Sequence, residues 1–337
     1  MNQIKFLLIS QLKRSRLAEK KNSGFTLIEV LVAMILAALV ITPLLGFMIN
    51  ILDSDRKEQA KSTTEQEVKS ALDYIAQDLS QAVFIYNAAA LNAISSTTPT
   101  NSGIRDQIPP VQAVGGCSNI NNCKPVLVFW KRKFLSRDEV GSLTGGNDTF
   151  VYSLVGYYLI TDGGGNNGTW SNTARIGRFE IKDGIPNPTG NTGPSRQDNG
   201  KPVYYRRLPD TGFRLFDLSK AGDLATKMKQ WVKHPDPYNA AAITNHPMNA
   251  ILIDYVDRSP LIPRRNLCPA GQPSTSAIAG FYACVNATGT TAQVVMSGNA
   301  WQRINNSSSP DLYTDARATY FPTASIRVQG RGFLYTK

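Results

Sequence analysis

A single carboxylate, Glu29, stands in the most apolar stretch of the chain, and its neighbours suggest a use for it. Between Phe25 and Leu52, 22 of 28 residues are apolar and Glu29 is the one charge. An ionised side chain there is costly in lipid unless it snorkels to the surface or meets a partner. Just ahead lies Gly24, whose missing side chain lets an extended backbone enter a tight protease cleft. The residues alone name no partner for Glu29.

Other residue types with chemical potential form weaker patterns. Four cysteines, Cys117, Cys123, Cys268 and Cys284, lie beyond the apolar stretch, an even count that suits disulfides in an oxidising compartment. Three pairings are open; the local ones, Cys117–Cys123 and Cys268–Cys284, close short loops and are the simplest. No metal site is expected. Neither cysteine spacing is C-x-x-C, and the two histidines, His234 and His246, each precede a proline. The run Asp162-Gly163-Gly164-Gly165-Asn166-Asn167-Gly168 offers oxygen donors, but Gly164 stands where a calcium loop needs Asp or Asn, so a flexible turn is expected. No nucleophile elbow, phosphate loop, zinc-protease helix or dinucleotide fingerprint occurs. The chain therefore reads as non-enzymatic and without a cofactor.

The apolar stretch defines the element that positions Glu29. As a helix at about 1.5 Å per residue it spans roughly 42 Å, enough to cross a bilayer core of about 30 Å. A cleaved secretory signal would be shorter and end at an A-x-A-like site, and a plain signal anchor leaves Glu29 unexplained. Basic residues precede the stretch: Lys5, Lys13, Arg14, Arg16, Lys20 and Lys21 against Glu19. They predict a cytoplasmic N-terminus and an exported body. Pro43 must break one helical hydrogen bond and kink the helix, with Thr42 and Gly46 beside it. Beyond the stretch, Val68, Ala71, Leu72, Ile75, Ala76, Leu79, Ala82, Val83 and Tyr86 recur at helical spacing. Lys69, Asp73, Gln77, Asp78 and Gln81 occupy the opposite face. One kinked helix from Phe25 to about Tyr86 is predicted.

Past a Ser/Asn/Pro-rich connection, Asn87–Asn122, the pattern turns strand-like. Strands are predicted at Val126–Trp130, Phe150–Thr161, Arg175–Lys182, Val203–Leu208, Phe213–Leu218, Ala250–Asp257, Ala292–Met296 and Thr323–Gln329, with a short helix within 221–233. The expected class is α+β, an antiparallel β-sheet head packed on the outer part of the N-terminal helix. Its segments are a leader, 1–24; a membrane-spanning or filament-core helix, 25–52; an amphipathic helix, 53–88; and a β-rich head, 89–337. Net charge is +11, but the leader holds nearly half of it and the rest is scattered. A solvated basic surface is expected, and nucleic acid is not an expected partner.

The segment Lys21-Asn22-Ser23-Gly24-Phe25-Thr26-Leu27-Ile28-Glu29-Val30 resembles the class III signal of type IV prepilins and type II secretion pseudopilins. That resemblance implies that a prepilin peptidase cuts after Gly24 and methylates Phe25, and that Glu29 becomes the fifth residue of the mature chain. The cut would create an ammonium group at Phe25; paired between neighbouring copies, it and Glu29 would set the register of packed apolar helices, specifying alignment more than adding net stability. The leader is longer than in many type IV pilins, which bears on targeting and not on the cut. Residues 71–82 are similar to the helix of large minor pilins and of the minor pseudopilin J family. In size, helix pattern and four-cysteine head, the chain resembles cyanobacterial pseudopilins linked to hormogonium polysaccharide secretion.

The resemblance also implies a life history. The subunit would sit in the inner membrane as a single-pass protein, contacting lipid, with its head in the periplasm. It would then join other pilins or pseudopilins in a type IV pilus-like or type II secretion-like filament, built on an inner-membrane assembly platform. A head of roughly 250 residues points to a minor subunit, and the implied role is secretion, of polysaccharide among other cargo, or motility. The alternative is a tip adhesin or DNA- or polyanion-binding minor pilin, whose binding would weaken steeply with salt.

Overall fold

The computed structural model describes residues 24–109, 121–136, 148–163, 169–187, 192–198, 200–235, 250–286, 288–305, 307 and 309–332. The chain divides into two units, residues 1–55 and 56–337. Helix α1, Leu27–Ser80, is 54 residues long and runs through that boundary. No glycine or proline interrupts it after Gly46, and Lys69 braces Glu65 one turn away at 2.6 Å. Cys117, His246 and residues 164–168 of the glycine-rich run lie outside the described residues.

The helix ends earlier than its periodicity predicts. Instead of continuing to Tyr86, the chain turns after Ser80 and enters strand β1, Ala82–Ile85, with all four residues buried. Ala82, Val83 and Tyr86 satisfy a helical stripe, but a strand can bury the same side chains. Pairing decides between them: Phe84 and Ile85 sit opposite Trp130 and Phe129 in β2, Cys123–Leu135. The Ser80 carbonyl, left over at the helix end, accepts from Arg331 N at 3.1 Å. Within the Asn87–Asn122 connection, residues 87–109 carry structure of their own. Asn87 caps the short helix α2, Ala88–Asn92, by accepting from Ala90 N at 3.0 Å, and Ile104 and Ile108 are buried.

The head is built on an antiparallel five-stranded sheet of order β1-β2-β3-β4-β8. It adds β3, Thr149–Ile160, β4, Ala174–Lys182, and β8, Ala250–Val256. The small strands β5, Ile185–Pro186, β6, Ser195–Asp198, and β7, Lys201–Arg207, form a separate ribbon. Helix α3, Leu224–Lys229, falls within the predicted 221–233. A second sheet orders β11-β10-β9, from β9, Phe281–Val285, β10, Thr291–Ser297, and β11, Thr323–Gln329.

Both faces of the large sheet are covered, so alternation sorts residues between two cores rather than between core and water. Leu127, Phe129, Val155, Tyr157 and Leu159 face Val68, Leu72, Ile75 and Leu79 of α1 together with β9 and β10. Their alternates Val128, Trp130, Leu154, Tyr158 and Ile160 pack with Phe179, Phe213, Phe216 and Trp231. Phe213–Leu218 is not a strand. Its aromatics instead wedge edge-on against Trp130, at ring separations of 5.8 and 5.1 Å. The close packing of α1 depends on Gly298 after β10: a β-carbon there would come within 2.3 Å of Thr64 Cγ2.

Candidate functional site

The junction singled out by sequence lies at the start of α1. The Thr26 carbonyl accepts from Glu29 N and Val30 N at 3.0 and 3.1 Å, and its hydroxyl accepts from Glu29 N at 3.3 Å. The same hydroxyl faces Glu29 Oε2 at 3.5 Å. A threonine at the helix entrance with a glutamate three residues on has the spacing of a capping box, of which the Thr26 hydroxyl supplies the first half, and a carboxylate in the first turn also meets the positive end of the helix dipole. Glu29 thus has a local role in addition to the pairing that sequence suggests. The Thr-x-x-Glu spacing carries that signal, although it was not among the expectations above.

Gly24 is exposed, and a β-carbon built there meets nothing within 4 Å. The fold itself makes no demand for glycine, so any such demand comes from outside it. Phe25 is 80% exposed. Pro43 lies inside α1, which remains helical through it. The Thr42 hydroxyl donates to the Ala38 carbonyl at 2.8 Å beside the bond that proline cannot make. Every residue from Leu27 to Leu52 is exposed in the single chain. That segment is long and apolar enough to cross a membrane by length and composition, and it needs an apolar surrounding from lipid or from other helices.

A second constellation lies at the other end of α1 and corrects the helical-wheel reading. Asp78, assigned to the polar face, is 8% exposed and faces the sheet. Its Oδ1 meets Lys131 Nζ at 2.6 Å, and its Oδ2 accepts from Arg178 Nε at 2.8 Å and from the Tyr157 hydroxyl at 2.7 Å. Arg178 also reaches Glu180 at 3.0 Å, which Lys133 approaches at 3.2 Å. Burial pushes the Glu180 carboxyl up, but Arg178, Lys131 and Lys133 outweigh it and hold the group down at about 2. Burial likewise opposes ionisation of Asp78, and Arg178 and Lys131 again prevail, lowering it. Burial, reinforced by the Asp78 charge, lifts the Tyr157 hydroxyl far above its ordinary value. These groups are occupied with one another, and what the arrangement does is fix the axial position of α1 on the head.

The remaining candidates occupy separate places. Cys268 and Cys284 form a disulfide with Cα atoms 5.4 Å apart, and Cys123 is also disulfide-bonded. His234 is buried, its Nε2 3.0 Å from the Gln197 carbonyl. Asp162, at the head of the glycine-rich run, is gripped by both terminal nitrogens of Arg175. Among the described residues, no group of three or more histidine, cysteine or carboxylate side chains could hold a metal ion.

No curated protein and no solved structure matches the chain. Residues 20–45, which hold Gly24, Phe25, Glu29 and Pro43, match the family model of the prokaryotic N-terminal methylation motif. With the long N-terminal helix and the antiparallel head, that match supports a pilin-like protein.

Proposed function

We propose that the chain is a non-enzymatic minor pilin or pseudopilin, cut by a prepilin peptidase between Gly24 and Phe25 and methylated at the new terminus. It is then drawn from the inner membrane into a hetero-oligomeric filament that supports secretion or motility. The observation that carries this reading is the stretch Leu27–Leu52, wholly exposed and predominantly apolar with Glu29 its one charge, most of it within the matched motif. Filament packing gives those side chains apolar neighbours and gives Glu29 the ammonium of an adjacent Phe25. Polysaccharide export is the finer role, and it rests on the resemblance of helix and head to pseudopilins of that kind.

Co-expression with a prepilin peptidase tests the proposal. Mass spectrometry of the wild-type chain should find a mature form that begins at methylated Phe25, while Gly24→Ala stays full length. A wild-type chain that keeps its leader beside an active peptidase overturns the reading. Glu29→Ala should be cut normally yet enter filaments poorly.

A further inference from the structure

A cleft on the head lies far from the junction in sequence, and neither processing nor assembly accounts for it. It has two halves. The apolar half, about 790 Å³, lies between the edge of β3 and the segments around Ile185 and Phe216. Phe150 and Tyr152 line it; Tyr152 meets Phe216 edge-on at 5.1 Å. Phe150 is 56% exposed, and it is held in place by the Phe134 ring at 5.4 Å and by the Arg132 guanidinium at 4.7 Å. A large aromatic held rigid in the open, beside a concave apolar wall, marks a contact surface.

The polar half, about 510 Å³, adjoins the first through shared walls at Asp183, Leu215 and Asp217. It presents Arg196, Arg214, Lys220 and Lys227 against Asp183, Asp198 and Asp217. Arg196 is tied to the Phe213 carbonyl at 2.8 Å, whereas Arg214 only approaches Asp198, at 4.0 Å, and Lys220 is exposed. At the junction of the halves, Asp217 accepts from Ser219 N and Oγ at 2.9 and 2.6 Å. Burial lifts the nearby Asp183 carboxyl to about 6, against the Gly184 N–H from which it accepts at 2.7 Å.

We infer that this cleft binds an acidic oligosaccharide, with a sugar ring stacked on Phe150 and Tyr152, hydroxyls bonded to Asp183 and Asp217, and a uronate-type carboxylate set against Arg214, Lys220 and Lys227. Each part follows from the chemistry present. Sugar rings offer an apolar face to aromatics and a rim of hydroxyls to carboxyl groups, and neither a hydrocarbon nor a plain anion uses both. A nucleic-acid strand also stacks on aromatics, but its phosphates only accept hydrogen bonds, and inside a deoxy strand no free sugar hydroxyl is left to donate to the carboxyl groups. A chain of sugars with one carboxylate per acidic ring meets the cationic wall while keeping its hydroxyls on the acids. The inference concerns the head and stands whether or not the leader is cut.

The test uses the full chain in lipid nanodiscs and isothermal titration with three probes of similar length: tetragalacturonate, neutral cellotetraose and a short oligothymidylate. Tetragalacturonate should bind best. Phe150→Ala and Lys227→Glu should each weaken it about tenfold, the loss of one good contact, while Phe150→Tyr restores it. Both altered residues are at least partly exposed, and circular dichroism shows that the variants are folded. Equal or stronger binding of cellotetraose or oligothymidylate overturns the inference. So does no heat with tetragalacturonate at millimolar concentration, or an affinity that both variants leave unchanged.

Discussion

The two ends of α1 share one secondary structure and live by opposite rules. From Leu27 to Leu52 every side chain is exposed in the single chain, whereas Thr64, Val68, Ala71, Leu72, Ile75, Asp78 and Leu79 are buried by the head. The outer end has found its partners within its own chain, down to a carboxylate matched by two cations and a phenol. The inner end has found none, and its one charge is met only by a threonine at the helix entrance. Helix propensity does not distinguish the ends; what differs is where the complementary surface is encoded. An element whose apolar surface is complete all round, with no stripe, is made for a medium or a bundle.

Removing Asp78 should break the outer end most severely. Asp78→Ala leaves Lys131 and Arg178 buried with Glu180 as their one shared carboxylate and the Tyr157 hydroxyl without its acceptor, and removing one member of a buried charge network costs about 3–5 kcal/mol. Chemical denaturation of the full chain in detergent measures it. The double change Asp78→Leu with Lys131→Met should cost less than the single one, because it also removes the cation that lost its closest partner, while Arg178 keeps Glu180. Acid should reproduce the loss. Glu180 and Asp78 are held below their unfolded values, so their contribution is complete above about pH 4.5 and disappears as pH falls toward 2. An Asp78→Ala chain should show a shallower acid transition. Wild-type stability that is flat from pH 5 to 2 would show that the network is not holding α1 in place.

How much of this was legible in the sequence depended on distance along the chain. The methylation motif was legible because Gly24, Phe25 and Glu29 lie within six residues and the matched pattern is local. The strands at Val126–Trp130 and Phe150–Thr161 were legible because their β-branched and aromatic density needs no partner to be seen. Asp78 was misread because it was assigned by its charge, although it lies seven residues from Ala71 and three from Ile75 on the buried stripe, and its partners lie 53, 79 and 100 residues away. β1 was missed because Ala82, Val83 and Tyr86 fit the helical period, while a four-residue strand buried on both faces shows no alternation, so only pairing with Phe129 and Trp130 decides. The cleft draws Phe150, Asp183 and Lys227 from separate segments, and no spacing announces it.

A paired truncation sharpens the comparison at smaller cost. Ile75→Ala removes a fully buried side chain between α1 and the sheet and should destabilise the head by about 2–4 kcal/mol. Leu36→Ala removes a similar volume from a residue that is 58% exposed and should change the head's denaturation midpoint within error. The second change should appear only where the inner end gains neighbours, as reduced recovery of the subunit in sheared filaments. Equal effects of both changes on head stability would contradict the division of labour along α1.

The smallest expected effect separates the two roles of Glu29. Thr26→Val keeps the size of the side chain but removes the capping hydroxyl, which should cost about 1 kcal/mol at the helix end. Faster hydrogen exchange at Leu27–Val30 in micelles would report it, with no change in the head. Glu29→Gln does the reverse, since glutamine also serves in a capping box but carries no charge to offer an ammonium. If Glu29 sets the register between subunits, Glu29→Gln should lower filament incorporation while Thr26→Val leaves it near wild type. If its work ends with the cap, the order is inverted. The charge at the start of the inner end would then be as self-contained as the one at the outer end, and the contrast between the two halves would reduce to apolar surface alone.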